Sequence, residues 1–307
     1  MAVHTPLLVI LGPTASGKSE LAMEVARRAG AEILSVDSMQ VYRQMDLGTA
    51  KPTLAERAEV THHLIDVIDP NQEFTVARFV ELADEVIGRA NAPSLIATGG
   101  TPLYYKALFE GLFAGPPADD ATRQRLRQEP ADVLHERLKR VDPTAAARIH
   151  ANDTRRVIRA LEVYEITGRP ITSFQTEWDT ADAAANHRHQ AVWIGLNWDK
   201  EVLNRRINAR VKAMIAAGWL DETRELLRRY GDLSKTAAEA TGYADLIAHL
   251  QGKTRLEDAI EQIKISTRQL ARKQMKWFRR WPQVKWLGGE GELGNRVEQV
   301  LLLWRPS

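Results

Sequence analysis

One segment of eight residues limits the fold of this chain more than any other feature. It follows an apolar run at residues 7–11 and precedes a helical pattern at residues 20–29. A G-x-x-x-x-G-K-[ST] loop between a strand and a helix directs backbone N–H groups and the helix dipole at a bound anion. We therefore predict a phosphate-binding loop in which Lys18 reaches the outer phosphate and Ser19 can hold Mg²⁺. The loop consists of Gly12, Pro13, Thr14, Ala15, Ser16, Gly17, Lys18 and Ser19.

Strand and helix patterns alternate on both sides of this loop. Short apolar runs at residues 33–36, 64–68, 94–98, 191–196 and 284–287 predict strands, and the spacing of apolar residues predicts a helix over 76–89. Such alternation is typical of a parallel sheet covered on both faces by helices. We predict an α/β fold, a P-loop NTPase-like (kinase-like) parallel sheet flanked by helices.

The pattern changes near Gly115-Pro116-Pro117. Residues 118–190 have almost no strand signal and include a well-marked helix with Asn152 or Asp153 as its N-cap and Gly168 at its end. We predict an all-helical insertion domain at 118–190 within a core domain formed by 1–117 and 191–307.

Composition excludes several classes of protein. The chain has no cysteine, which rules out disulfides, thiolate zinc sites and cysteine nucleophiles. Its N-terminus has no basic segment, and no apolar stretch is long enough to cross a bilayer. We expect a cytoplasmic monomer without a membrane partner. Because the net charge is only +2, affinity for nucleic acid must come from local basic patches.

Two polar residues follow predicted strands near the phosphate loop. Asp37 comes after the run at 33–36, and the run at 94–98 leads into Gly99-Gly100-Thr101 without an acid. Because parallel strands end at one edge of the sheet, Asp37 and Thr101 should both face the ligand. Asp37 would bind metal, act as a base or simply stabilise a turn. Thr101 would also suit the N-cap of a helix starting at Pro102.

A basic helix occupies the C-terminal part of the chain. We expect it to begin at Thr254, with Glu257 completing a capping box. Residues 262–289 contain eight Lys or Arg and no acid. Helical spacing separates an apolar side from a cationic side, which suggests a polyanionic partner, although a solvated face is the alternative. The apolar side is Ile260, Ile263, Leu270, Trp277 and Trp281; the cationic side, called the basic stripe below, is Arg268, Arg272, Lys276 and Arg279.

Other arginines occupy unusual positions. Arg155, Arg156 and Arg159 lie near the start of the insertion's helix, where cations oppose the helix dipole. On a helix over 199–217, Arg206 has Glu201 or Asp199 as local ion-pair candidates. Arg210 has no acid three or four residues away.

Taken together, these segments resemble the bacterial tRNA dimethylallyltransferase family, the tRNA isopentenyltransferases. The similarity runs through nearly the whole chain. The matching stretches are GPTASGKS at 12–19, SVDSMQVYRQMDLGTAKP at 35–52, TGGTPLYYKALFEG at 98–111, ARIHANDTRRVIRALEV at 147–163, the RV and AAG elements at 210–218 and TRQLARKQMKWFRRW at 267–281.

The resemblance implies transfer of a dimethylallyl group from dimethylallyl diphosphate to the exocyclic amine of the adenosine 3′-adjacent to the anticodon. The affected tRNAs read codons that begin with U. It implies Asp37 as general base, Thr101 near the reacting centre, Arg210 on the diphosphate, and Mg²⁺ as cofactor. Contacts to the tRNA anticodon stem-loop, in addition to those expected at the basic stripe, are implied at Asp37, Ser38, Met39, Gln40, Thr101, Arg123, Arg155, Arg156, Val157, Ile158, Arg159, Gly242 and Tyr243.

Some positions depart from the family pattern, and two other functions compete with this one. Ala244 follows Gly242-Tyr243 where relatives usually have a basic residue, and Glu239 replaces a common Arg or Gln. An ATP-dependent kinase for a small acceptor is disfavoured by the missing acid after residues 94–98. A nucleotide-dependent RNA-binding switch without chemistry is disfavoured by Asp37 beside the loop.

Overall fold

A parallel β-sheet forms the centre of the larger part of the molecule. The computed structural model describes residues 7–89, 94–112, 115–174 and 188–304. Within these residues the sheet has six strands in the order β3-β2-β4-β1-β5-β6, and all neighbouring pairs are parallel. The strands are β1 (Leu7–Leu11), β2 (Glu32–Ser35), β3 (His62–His63), β4 (Leu95–Gly99), β5 (Ala191–Asn197) and β6 (Lys285–Gly288).

Helices connect and cover these strands. They are α1 (Lys18–Ala29), α2 (Leu54–Glu59), α3 (Val76–Ile87), α4 (Pro102–Glu110), α5 (Asp120–Leu126), α6 (Ala131–Val141), α7 (Pro143–Arg148), α8 (Thr154–Thr167), α9 (Lys200–Ala216), α10 (Trp219–Tyr230), α11 (Lys235–Ala238), α12 (Tyr243–Leu250), α13 (Leu256–Phe278) and α14 (Leu293–Trp304). A 3₁₀ turn covers Ile171–Phe174. The predicted P-loop NTPase-like parallel sheet with flanking helices is confirmed.

Alternating side chains of the strands give the sheet two buried faces. Leu8 and Ile10 of β1 pack in a cluster with residues of α1 and α14, including Leu21 and Val297. The other face carries an aromatic cluster in which the rings of Trp193 and Trp281 lie 5.4 Å apart. Because successive strand residues point to opposite faces, one continuous apolar run supplies both layers.

The strand predicted at residues 64–68 is wrong. The ladder beside β2 contains only His62 and His63. Leu64 and Asp66 have left-handed backbone angles, with φ of 61° and 56°, which turn the chain away from the sheet edge. The Asp66 carboxylate at this turn accepts hydrogen bonds from Lys51 and Arg57. Beyond the turn, Ile68 forms an isolated parallel bridge with Tyr42 and is not part of a strand.

The chain divides into two compact units. The first contains Met1–Phe109 and His189–Ser307, and the second contains Glu110–Arg188. The described residues of the second unit form helices without a strand, packed around a core that includes Leu134 and Leu161. In α8 the Asp153 side chain accepts the Arg156 N–H, and Gly168 ends the helix with φ of 69°.

The carboxyl ends of β1, β2 and β4 meet at one edge of the sheet. β1 lies between β4 and β5, so chain connections leave it in both directions, which is where ligands bind in open α/β sheets. At this edge β4 passes so close to β2 that a Cβ on Gly99 would lie 2.0 Å from the Val36 carbonyl oxygen. Only glycine permits this approach, because backbone atoms of the neighbouring strand cannot move aside.

We predict that Gly99→Ala lowers the free energy of unfolding by roughly 3 kcal/mol or more, since the added methyl group must separate two paired strands. Gly294→Ala is the control, because a Cβ on Gly294 in α14 meets nothing within 4 Å. The control should stay within about 1 kcal/mol of the wild type. Equal urea midpoints for the two variants would contradict the predicted crowding.

Candidate active site

The phosphate-binding loop connects β1 to α1 at this edge. Gly17 caps α1 with a left-handed φ of 87°, and Ala15 also has a positive φ of 63°. The Ser16 N–H bonds to the Pro13 carbonyl within the loop, at 3.2 Å. Lys18 folds back over the loop, with its Nζ 3.5 Å from the same carbonyl oxygen. The free N–H groups at the start of α1 and the Lys18 amine can therefore surround an anion.

Three side chains from distant parts of the sequence hold this loop from outside. Gln274 of α13 accepts the Thr14 N–H at 2.8 Å. Trp198 donates its indole N–H to the Ser16 carbonyl at 2.9 Å, and Arg206 donates Nε–H to the Ala15 carbonyl at 2.9 Å. The Arg206 guanidinium also stacks on the Trp198 ring, 4.3 Å from its centroid. Arg206 thus supports the loop, and the local ion pair considered for it is not formed.

Two cations face the cavity next to the loop. The pKa of Lys18 falls to about 8, mainly because burial disfavours its charged form; Arg210 lowers it too, whereas Asp37 raises it. Burial also lowers the pKa of Arg210, while Asp37 opposes that shift. Among the residues that the structure describes, none accepts a hydrogen bond from the Arg210 guanidinium. Positive charge is therefore concentrated here, and Asp37 is the acid that favours the charged forms of both groups.

Asp37 follows β2 and faces the same cavity. Its Oδ1 accepts the N–H groups of Met39 and Gln40, at 2.9 and 3.4 Å. Its Oδ2 makes no hydrogen bond with the described part of the chain. The carboxylate therefore stabilises a turn through one oxygen and leaves the other available to a ligand, so both predicted roles of Asp37 are compatible.

Thr101 follows β4 and bonds to the turn that carries Asp37. Its hydroxyl oxygen accepts the Ser38 N–H at 2.9 Å, and its O–H donates to Ser38 Oγ at 3.1 Å. The helix predicted to start at Pro102 is observed as α4. These bonds fix Thr101 beside Asp37, at the position where β2 and β4 converge.

A long loop after β2 forms another wall of the cavity. The Gln40 side chain donates to the carbonyl groups of Thr49 and Ala50, at 3.3 and 3.2 Å. Glu222 of α10 accepts the N–H groups of Asp46 and Leu47, at 3.0 and 2.7 Å. This wall is thus held by side-chain bonds to its backbone, and Glu222 is a residue that local sequence patterns did not reveal.

These elements enclose a cavity of about 410 Å³. Lys18, Asp37 and Arg210 line it together with apolar side chains of α9 and α13, including Val211, Met214 and Leu270. The cavity therefore combines a polar end for an anion with an apolar wall. In the described part of the chain, no group of three or more His, Asp or Glu side chains is placed to hold a metal ion.

Gly242 and Tyr243, named as RNA contacts from the sequence, are packed inward. Tyr243 is fully buried, its hydroxyl donates to Glu222 at 2.6 Å, and its ring packs against Trp219. A Cβ on Gly242 would lie 2.1 Å from the Trp219 ring. In this structure the pair supports the loop wall through Glu222.

The basic stripe lies on α13 and its C-cap Arg279, and the start of this helix differs from the prediction. The helix begins at Leu256 with Arg255 as N-cap and no side-chain cap. The expected capping box is absent because Arg255, not Thr254, occupies the N-cap position; the Thr254 hydroxyl donates to the Arg255 carbonyl. The buried side is Ala259, Ile263, Lys264, Ala271, Gln274 and Phe278. Of the predicted apolar side, Ile263 and Trp281 are buried, whereas Ile260, Leu270 and Trp277 are half-buried.

Three residues of the basic stripe are exposed to solvent: Arg272, Lys276 and Arg279. Arg268 is half-buried and donates to the Asn208 side chain at 2.6 Å. Arg279 lies 3.4 Å from the Asn197 side-chain oxygen. Neither partner is an acid, so these two bonds do not neutralise the charges of Arg268 and Arg279.

In the second unit, two of the predicted RNA-contacting arginines form ion pairs with one buried carboxylate. Glu162 is fully buried and lies 2.8 Å from Arg123 Nε and 2.5 Å from an Arg159 nitrogen. Arg156 pairs with Asp153 at 3.4 Å, and Arg155 is exposed. Val157 and Ile158 are buried in the core of the unit. RNA contact by this segment stays a prediction.

Comparison with protein families identifies relatives of the chain. Residues 40–281 match the IPP transferase family, and residues 5–71 match the isopentenyl transferase family. A tRNA dimethylallyltransferase from Symbiobacterium thermophilum is 46% identical over 313 residues, covering 98% of this chain and 96% of the relative. The enzyme of the same name from Geobacter metallireducens is 43% identical over 303 residues and covers 97% of both chains.

Solved structures give the same result. The tRNA isopentenylpyrophosphate transferase from Bacillus halodurans is 36% identical with a TM-score of 0.68, covering 96% of this chain and 94% of that chain. A eukaryotic dimethylallyltransferase acting on tRNA is 28% identical with a TM-score of 0.80, covering 96% and 77%. No helix in the described part of the chain is long and apolar enough to cross a membrane.

We predict that affinity for pyrophosphate falls as pH rises above about 8. The lowered pKa of Lys18 means that its amine loses a proton near pH 8 in the free protein. At higher pH the amine must take up a proton again when the anion binds. The dissociation constant should therefore rise by up to about tenfold per pH unit above that value. Calorimetric titrations between pH 7 and 9.5 measure it, with Lys18→Met as control because the ligand's own titration affects both proteins. Identical pH profiles for the two proteins would contradict the assignment.

Proposed function

The chain belongs to the IPP transferase family, and we propose that it transfers a dimethylallyl group from dimethylallyl diphosphate to the adenosine 3′-adjacent to the anticodon of tRNA. It is a prenyl transferase that acts on tRNA. The observation that carries the finer proposal is the placement of Lys18, Arg210 and Asp37 around one cavity. Two cations suit a diphosphate, and a carboxylate with one free oxygen suits a proton-releasing amine.

Departure of the diphosphate is the first half of the reaction. The bond between the allylic carbon and the diphosphate oxygen breaks, and negative charge grows on the departing oxygens. Lys18, the N–H groups at the start of α1 and Arg210 would stabilise that charge in a partly dehydrated site, where fixed charges act strongly. The apolar wall formed by Val211, Met214 and Leu270 would accommodate the five-carbon chain.

Mg²⁺ would bind where the diphosphate meets the helix. The Ser19 hydroxyl is exposed in the first turn of α1 and bonds to no residue that the structure describes. Mg²⁺ commonly combines one or two protein oxygens with substrate phosphates and water. Ser19 would hold the ion, which would neutralise charge on the diphosphate when bound.

Attack by the adenine amine is the second half. The exocyclic nitrogen forms the new bond to the allylic carbon and loses one proton. Asp37 Oδ2 would orient the amine and accept that proton, because Oδ1 is already occupied by two N–H groups. Thr101, fixed beside Asp37 through Ser38, would lie near the reacting nitrogen.

The target base must leave its stack to enter the cavity. Unstacking costs a few kcal/mol and is easiest in a single-stranded loop such as the anticodon loop. The exposed part of the basic stripe would contact tRNA phosphates and so compensate for this cost. Phosphate contacts position an RNA without reading its sequence.

The direct test is incubation of the purified protein with dimethylallyl diphosphate and unmodified tRNA, followed by mass spectrometry of the nucleosides. We expect adenosine to gain one dimethylallyl group. A control tRNA with guanosine at the target position should gain none. A parallel reaction with γ-labelled ATP and small acceptors tests the kinase alternative. Phosphoryl transfer without prenylated adenosine would overturn the proposal.

We predict that Asp37→Asn slows single-turnover transfer by roughly two to four orders of magnitude, as expected when a general base is lost. Asparagine retains an oxygen that accepts the Met39 and Gln40 N–H groups, so the turn should survive and tRNA affinity should change by no more than a few-fold. Asp232→Asn, at an exposed position, is the matched control. A transfer rate near that of the control would show that Asp37 is only a turn residue.

We predict that Arg272→Ala and Lys276→Ala each flatten the log–log dependence of tRNA affinity on salt by about 0.7–0.9 per lost phosphate contact. Cognate and non-cognate tRNAs should lose affinity alike. Ile263→Ala, on the buried side of α13, should instead lower stability by roughly 2–4 kcal/mol. Unchanged salt slopes in both cationic variants would mean that the basic stripe is only a solvated surface.

A further inference from the structure

We propose that Gln274 is a positioning residue that sets the distance between the phosphate-binding loop and the Gly100-Thr101 turn beside Asp37. This inference rests on the proposed function, because it concerns the alignment of the two substrates. Gln274 projects from α13 and touches both halves of the site through one amide group. No local sequence pattern connects α13 with the two segments that contain Thr14 and Gly100.

Both ends of the Gln274 amide are bonded to backbone groups. Oε1 accepts the Thr14 N–H at 2.8 Å, and Nε2 donates to the Gly100 carbonyl at 2.7 Å. The side chain is only 4% exposed. Thr14 belongs to the phosphate-binding loop after β1, and Gly100 immediately precedes Thr101 after β4. A single planar amide therefore joins the ends of two adjacent strands.

The surroundings show that packing alone does not require this residue. The neighbouring buried positions on α13, Ala271 and Phe278, are apolar. Burying an amide costs free energy of folding unless each polar atom has a hydrogen-bond partner with good geometry. An apolar side chain of the same length would fill the volume without that cost. Gly100 also leaves room for the amide, because a Cβ there would lie 2.8 Å from Nε2. Polar bonding at this point is thus built into two separate segments.

The geometry gives the two bonds a consequence for the reaction. Reaction rates depend steeply on how well the reacting atoms are aligned, and misplacement of about 1 Å costs roughly a hundredfold. The phosphate-binding loop holds the leaving group, and the Gly100-Thr101 turn lies beside Asp37, the proton acceptor. Loss of the bridge would let the loop and the turn move independently, which should weaken donor binding and slow transfer.

The test compares Gln274→Met, which has a similar length and no amide, with Gln274→Glu, which retains an acceptor for Thr14 but no donor for Gly100. Gln269→Met is the matched control, because Gln269 is exposed on the same helix. Four quantities are measured for each protein: the single-turnover rate, the KM for dimethylallyl diphosphate, the affinity for tRNA and the affinity for pyrophosphate. Thermal midpoints are recorded so that all assays run well below unfolding.

We expect Gln274→Met to slow transfer by roughly 10- to 100-fold and to raise the KM for the donor several-fold, with tRNA affinity within about twofold of the wild type. Gln274→Glu should be at least as slow as Gln274→Met, because its carboxylate faces the Gly100 carbonyl oxygen without a proton to donate. Gln269→Met should behave as wild type. Wild-type rate and donor KM in Gln274→Met would overturn the inference, even if its thermal midpoint falls. Pyrophosphate affinity separates the two proposals, because its loss in Gln274→Met supports the bridge even if no prenylation is found in the wild type.

Discussion

The structure depends on concentrated positive charge at the junction of β1 and α1. Burial disfavours the charged forms of Lys18 and Arg210, and Arg210 further disfavours that of Lys18. Asp37 is the acid that favours the charged forms of both. Such an arrangement is unfavourable without an anion, since buried charges normally require paired partners. Much of the architecture around the cavity holds these cations in place, which suits the diphosphate that we propose as ligand.

That holding is achieved by backbone contacts from remote segments. Trp198, Arg206 and Gln274 bond to successive parts of the phosphate-binding loop, although each lies more than a hundred residues further along the chain. On the other side, Glu222 fixes the loop after β2 through its N–H groups. The site is therefore preorganised by the carboxyl-terminal half of the first unit, which helps fixed dipoles and charges to act without rearrangement.

Local features of the site could be predicted from the sequence, whereas its long-range support could not. The phosphate-binding loop, the strand before Asp37 and the absence of a local partner for Arg210 follow from short spacings. The strand predicted at 64–68 failed because Leu64 and Asp66 adopt left-handed angles, and the contacts of Asp66 with Lys51 and Arg57 at this turn join segments that an apolar run does not reveal. Gln274 looked like an ordinary polar helix residue, since nothing near it indicates that Thr14 and Gly100 lie within reach.

The central claim is that the cavity concentrates positive charge for binding a diphosphate. It is tested most directly by the stability of Arg210→Met against urea, measured with and without pyrophosphate. Methionine keeps the apolar length of arginine and removes its charge. If the claim is right, the ligand-free variant unfolds at the same or a higher urea concentration than the wild type, and the stabilisation by saturating pyrophosphate is strongly reduced. A ligand-free variant that is clearly less stable, with an undiminished response to pyrophosphate, would contradict it.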